Sequence, residues 1–178
     1  MSNEVDAFYA RQDELKIFLL EQQNLSMAQD VEQMLQKNLP LAAASYFEHS
    51  ICSLLRSYID KKTNSSPELK SFFEIKAISR QYHTLFEWEK NNINKFLSHF
   101  GEVFKSEVSR EIAEDASLSA AAQAFVEIGR IRNRIVHQNY AAFVVDKSSE
   151  EIFALFRSAE CLVRYLELKL LPAVEQDK

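Results

Sequence analysis

The chain has 178 residues, with 21 Lys and Arg against 26 Asp and Glu for a formal net charge of −5. That length buries a core without disulfides and predicts one domain over residues 1–178, and the acidic balance excludes a protein that coats nucleic acid through a broad positive surface. Two glycines and three prolines leave few turn and strand-end signals, so an all-α fold of long helices with short connections is expected.

Met1–Asp6 is acidic and no uninterrupted apolar run follows it, so neither a signal peptide nor a membrane span is expected there. From about Glu4 to Gln22 the apolar Val5, Phe8, Leu15, Phe18 and Leu19 recur at helical spacing. Ser26 is a candidate cap for a second helix carrying Met27, Val31, Met34 and Leu35, which should end before Leu39-Pro40 because a residue that precedes proline avoids the α region. Residues 1–39 therefore read as an N-terminal helical extension, and 40–171 as the core bundle.

Pro40 suits the first turn of a long helix to about Lys61, with Ala44, Phe47, Ile51, Leu54, Leu55 and Tyr58 as its apolar stripe. Glu48 falls inside that stripe. An unpaired charge there is costly, so Glu48 either reaches solvent at the stripe's edge or pairs with and orients Arg132 or Arg130. His49 falls on the outer side. Lys61–Glu68 reads as a loop ending in a Ser-Pro-Glu helix start.

Glu68–Tyr82 and Leu85–Phe100 are both helical in pattern. Phe72, Phe73, Ile75, Ile78, Phe86, Trp88, Ile93, Phe96, Leu97 and Phe100 give them aromatic and aliphatic bulk for a core. His83 and His99 have no carboxylate pattern near them and are assigned no role. Gly101 breaks the pattern before a helix over Glu102–Glu114, and Asp115 to Ser117 offers a cap for the next, which carries Phe125, Ile128, Ile131, Ile135 and Val136 toward the core and ends near His137 to Asn139. Ala141–Val145 suits a short extended connection. Ser148 and Glu151 form a capping box that opens a strongly amphipathic helix through Leu170, stopped by Pro172; the tail from Ala173 should fray.

The densest chemistry lies in Gly129-Arg130-Ile131-Arg132-Asn133-Arg134-Ile135-Val136-His137-Gln138-Asn139-Tyr140, where three arginines, amides and an imidazole fill about two helical turns. Asn133 and His137 share a face at i, i+4. Taken alone, the histidine can cap terminal carbonyls and the arginines can meet the helix dipole.

Arg132-Asn133-Arg134-Ile135-Val136-His137, late in a small all-helical chain, resembles the Arg-x(4 to 6)-His motif of HEPN domains, and Asn directly after Arg is the form common in nuclease members. The resemblance covers roughly residues 40–171. It implies a HEPN-like antiparallel bundle that pairs with a second copy so that two motifs meet across a cleft, and a metal-independent endoribonuclease acting as a toxin, an anti-phage defence protein or an RNA-processing enzyme.

In that reading Arg132 holds a phosphate oxygen through its fork, His137 exchanges the proton as general base or acid, and Asn133 bonds a phosphate oxygen or fixes the imidazole. Arg130 and Arg134 meet flanking phosphates, and Tyr140 joins the RNA-binding set. Some toxin members carry Tyr two residues beyond the His; here that position is Asn139, and Tyr140 is one further on. The expected partners are RNA, a second copy of the chain and a separate antitoxin or defence-system protein, with no membrane.

No cofactor or metal is expected, since Cys52 and Cys161 lack any Cys-x-x-Cys or Cys/His spacing; cysteine usage fits a reducing cytoplasm. The rival reading is a non-catalytic HEPN-fold interaction or nucleotide-binding module.

Overall fold

A computed structural model describes residues 3–62 and 66–172. Among these the protein is all-α, with no strand. Helix α1 spans Glu4–Glu21, α2 Leu25–Lys62, α3 Pro67–Phe73, α4 Asn94–Ser98, α5 Glu102–Glu114, α6 Ala116–His137 and α7 Ser149–Leu170. No described helix is long and apolar enough to cross a membrane.

The core forms where α2, α6 and α7 meet. Phe47, Ile51, Phe125, Ile128, Ile135, Ile152, Phe156 and Leu162 are each at most 1% exposed. The Phe47 ring stands 5.3 Å from Phe125 and 5.4 Å from Phe156, so one side chain of α2 joins the other two helices. At roughly 1.5 to 3 kcal/mol for each large apolar side chain removed from water, this contact outweighs any local helix preference.

That imbalance explains α2. The expected break at Leu39-Pro40 is absent, because the helix runs through Pro40. Proline cannot donate to the Gln36 carbonyl and its ring crowds that turn, a cost of about 3 kcal/mol. Leu35, Leu39, Pro40, Ala43 and Ala44 are all buried, and their burial offsets the cost. The cap also lies earlier than expected: Asn24, not Ser26, accepts the Met27 amide through Oδ1 at 3.3 Å.

Helix α1 folds back on α2 through a turn in which Gln23 takes a positive φ of 57°. Its near end is anchored. Tyr9 stacks on Phe153 of α7 at 4.1 Å, and the Asn3 side chain donates to Glu160 Oε1 at 2.9 Å. Farther along, Leu15 and Phe18, expected in an apolar stripe, are 43% and 54% exposed.

The region after α3 departs most from its expected helices. Glu74–Ile78 is a single π-helical turn, Arg80 takes a positive φ of 59°, Tyr82–Thr84 is a 3-10 turn, and regular helix resumes only at Asn94. A straight helix would point Tyr82, Leu85, Phe86, Trp88 and Ile93 in several directions, whereas the irregular path buries all five. Phe72 and Ile75, assigned to the core by spacing, are instead 57% and 62% exposed.

The remaining signals match their elements. Gly101 at φ 96° precedes α5, Asp115 caps α6 by accepting the Ser117 and Leu118 amides, and Ser148 and Glu151 form the reciprocal box on α7. Ser66 caps α3 at Pro67; residues 63–65 of the expected loop, and the tail from Ala173, lie outside the described residues. The expected extended strip Ala141–Val145 opens instead in a turn over Tyr140–Ala142, where the Ala142 and Phe143 amides both donate to the Asn139 carbonyl, and continues without regular structure over Phe143–Val145.

Candidate active site

The motif occupies the last turns of α6. Burial of Ile128, Ile131 and Ile135 fixes the rotation of the helix, and this decides where the polar residues fall. Arg132 and Asn133 are half-buried; Arg134, Val136 and His137 are exposed. Val136, expected in the core, is 47% exposed and stands at the rim of a cavity.

That cavity, about 240 Å³, lies between α2, α6 and the irregular 82–88 segment. Glu48, Tyr82, His83, Trp88, Arg132 and Asn133 are among its lining residues, with Phe47, Phe125 and Ile128 in the apolar wall. Arg132 Nη1 donates to Asn133 Oδ1 at 3.2 Å, and its Nη2 lies 3.4 Å from His83 Nε2. Arginine has only donors, so this second contact uses His83 Nε2 as acceptor with the ring proton on Nδ1.

Sequence reasoning missed Tyr82, His83 and Trp88 as site residues, because an irregular backbone brings them to α6. One signal was present. Gly129 sits inside a helix, where glycine costs about 1 kcal/mol relative to alanine, and a Cβ there would overlap the Trp88 ring. The glycine lets an indole lie against the helix one turn before Arg132.

Glu48 lines the cavity but does not form the ion pair expected with Arg132 or Arg130. Among the described residues it has no hydrogen-bond or ion-pair partner. Tyr82 is 4% exposed, and its hydroxyl likewise has no hydrogen-bond partner among them. Burial pushes the phenol well above its ordinary range, Glu48 and Cys52 push it further, and Arg132 opposes them.

The other basic residues have structural partners. Arg130 donates to Glu127 at 2.9 Å, to Asn91 Oδ1 at 2.6 Å and to the Trp88 carbonyl at 3.3 Å, which ties down the irregular segment. Arg134 lies over the Phe143 ring and 3.8 Å from Asp146. The Tyr140 hydroxyl donates to Asn38 Oδ1 at 3.0 Å, and Lys37 donates to the Tyr140 carbonyl, so the turn after α6 is pinned to α2.

His137 stands at the free end of the helix. It does not line the cavity and has no hydrogen bond to Asn133. Five residues separate it from Arg132, about 140° around the axis and about 7.5 Å along it. The structure therefore brings Arg132, Asn133 and His83 together and leaves His137 a turn away. No group of three His, Cys, Asp or Glu suited to a metal ion occurs among the described residues.

A family profile described as RiboL-PSP-HEPN matches residues 6–171. The chain belongs to the RiboL-PSP-HEPN family. The match takes in α1 and the first turns of α2, so the stretch before Pro40 falls inside the family region of this HEPN protein. Membership places it among proteins with nuclease or other RNA-related functions, a family whose members often bind RNA and dimerise. Comparison with curated proteins and with solved structures gives no match.

Proposed function

We propose that this HEPN protein is a metal-independent endoribonuclease. The observation that carries the reading is Arg132 and Asn133 at the edge of an apolar-walled cavity, with an unpartnered His137 one turn further on. The 2'-hydroxyl of one nucleotide attacks the adjoining phosphorus, the O2'–P bond forms and the P–O5' bond breaks. The products are a 2',3'-cyclic phosphate and a 5'-hydroxyl. His137 takes the 2'-proton, and water delivers a proton to the departing O5'. The Arg132 guanidinium and the Asn133 amide bind the phosphate oxygens as charge builds on them.

The Arg132 and His137 that meet one phosphate come from two copies of the chain, since one helix end cannot direct both at a single phosphate. The test is incubation of purified wild-type, Arg132→Ala and His137→Ala proteins with labelled RNA in excess chelator. Wild type should leave 2',3'-cyclic phosphate ends. Each variant should lose at least about a hundredfold in rate, the usual span of a general acid or base, with little change in melting temperature. Equal cleavage by wild type and His137→Ala would overturn the reading, as would a 5'-phosphate product that requires Mg²⁺.

A further inference from the structure

We infer that the cavity beside Arg132 is a nucleobase subsite that takes guanine, with Glu48 and Tyr82 reading its edge. The inference rests on the proposed nuclease reading, of which it is the substrate-selecting part. Three observations converge on it.

The first is the volume. About 240 Å³ is below the range for drug-sized ligands and suits one flat heterocycle, and the walls are apolar and aromatic through Phe47, Trp88 and Ile128. The second is a pair of polar groups left without partners. Glu48 presents a carboxylate that accepts only, and Tyr82, 4% exposed, presents a hydroxyl that can donate. Glu48 is half-buried and neither group is sealed from solvent, so a ligand that enters the cavity and displaces water must take over the hydrogen bonds of both.

The third is the match of donors and acceptors. Guanine alone among the four RNA bases offers two adjacent donors, N1–H and the 2-amino group, on the edge that also carries the O6 acceptor. A carboxylate takes both donors, and the Tyr82 hydroxyl serves O6. Adenine and cytosine place a ring acceptor beside their amino group, which would face the Glu48 carboxylate at a loss; uracil offers one donor between two acceptors. With guanine in the cavity, its ribose and 3'-phosphate emerge where Arg132, Asn133 and His83 stand, and scission falls 3' of guanosine.

Trp88 is the chain's single tryptophan and lines the cavity, so its fluorescence reports occupancy. Intact His137→Ala protein, which leaves the cavity lining untouched, would be titrated with GMP, IMP, AMP, CMP, UMP and ribose 5-phosphate. GMP should saturate the signal with a Kd at least about tenfold below the others, as expected for a hydrogen bond to a charged group. Glu48→Gln should erase most of that preference, and Tyr82→Phe should weaken GMP by a smaller factor. IMP, which lacks the 2-amino group, asks the same question without altering the protein and stands in if Glu48→Gln fails to fold.

Equal binding of the nucleotides, binding of ribose 5-phosphate as tight as that of GMP, or no saturable signal would overturn the inference. RNA cleavage by wild type together with indifferent nucleotide binding would remove the guanine subsite and leave the nuclease reading standing. GMP preference that depends on Glu48, with no RNA cleavage by wild type, would support the subsite in a nucleotide-binding module and remove the nuclease.

Discussion

At the scale of single residues, Gly129 and Trp88 decide more than their chemistry suggests. The indole is held by Phe86, Phe125 and Tyr82, with ring centroids 5.0, 6.0 and 5.8 Å away, so it cannot move aside for a methyl group on α6. Gly129→Ala gains up to about 1 kcal/mol of helix preference and incurs about 1 to 3 kcal/mol from overpacking. The second effect should win. Thermal denaturation should show a lower midpoint with a shifted Trp88 emission, and an unchanged midpoint and emission would show that the ring yields. Arg130 belongs to the same small assembly, since its bonds to Asn91 and the Trp88 carbonyl hold the segment that carries the indole.

At the scale of elements, one polar cluster fastens the hairpin of α1 and α2 to the start of α7. Glu32 of α2 accepts both the amide and the hydroxyl of the fully buried Ser149, at 2.9 and 2.7 Å. Lys16 of α1 bridges Glu32 at 3.1 Å and Glu150 at 2.7 Å. Burial works against ionisation of Glu32, but the Ser149 bonds and Lys16 outweigh it and hold the carboxyl below its ordinary value. The hydrogen bond from Lys16, helped by the backbone amide, takes Glu150 down to about 2.

Both carboxyls are thus lowered on folding, so their stabilisation is fully present above the unfolded value of about 4.5. It is lost as pH falls through the folded values, toward about 2 for Glu150. The melting midpoint should fall over that window. Glu32→Gln should lower the midpoint at neutral pH by the equivalent of about 1 to 3 kcal/mol and flatten the acid slope; an unchanged slope would mean that other carboxylates govern acid unfolding.

At the scale of the whole molecule, the separation of Arg132 from His137 predicts a homodimer whose two motif helices face each other across a twofold axis. A symmetric interface sets Arg132 of one copy beside His137 of the other, which a single helix end cannot do. Co-expressed Arg132→Ala and His137→Ala chains should form heterodimers in which one composite site carries both defects and the other none. Partial recovery of RNA cleavage is expected. Demonstrated heterodimers without recovery would show that the composite pairing is wrong.

Periodicity in the sequence determined the stripes of α2, α6 and α7, and local capping chemistry determined the starts of α3, α6 and α7, because each signal acts within a turn or two of itself. The Arg132-Asn133 and His137 pattern was legible for the same reason, as was the family. Tertiary burial alone decided that α2 continues through Pro40, that the 74–93 stretch abandons regular helix to bury Tyr82 and Trp88, and that His83 meets Arg132. Burial also fixed the partners of the charged groups, for Arg130 turned to Glu127, Asn91 and the Trp88 carbonyl and left Glu48 unpaired at the cavity. No local pattern encodes these outcomes, since each weighs a local cost of a few kcal/mol against apolar area and partners supplied by residues tens of positions away.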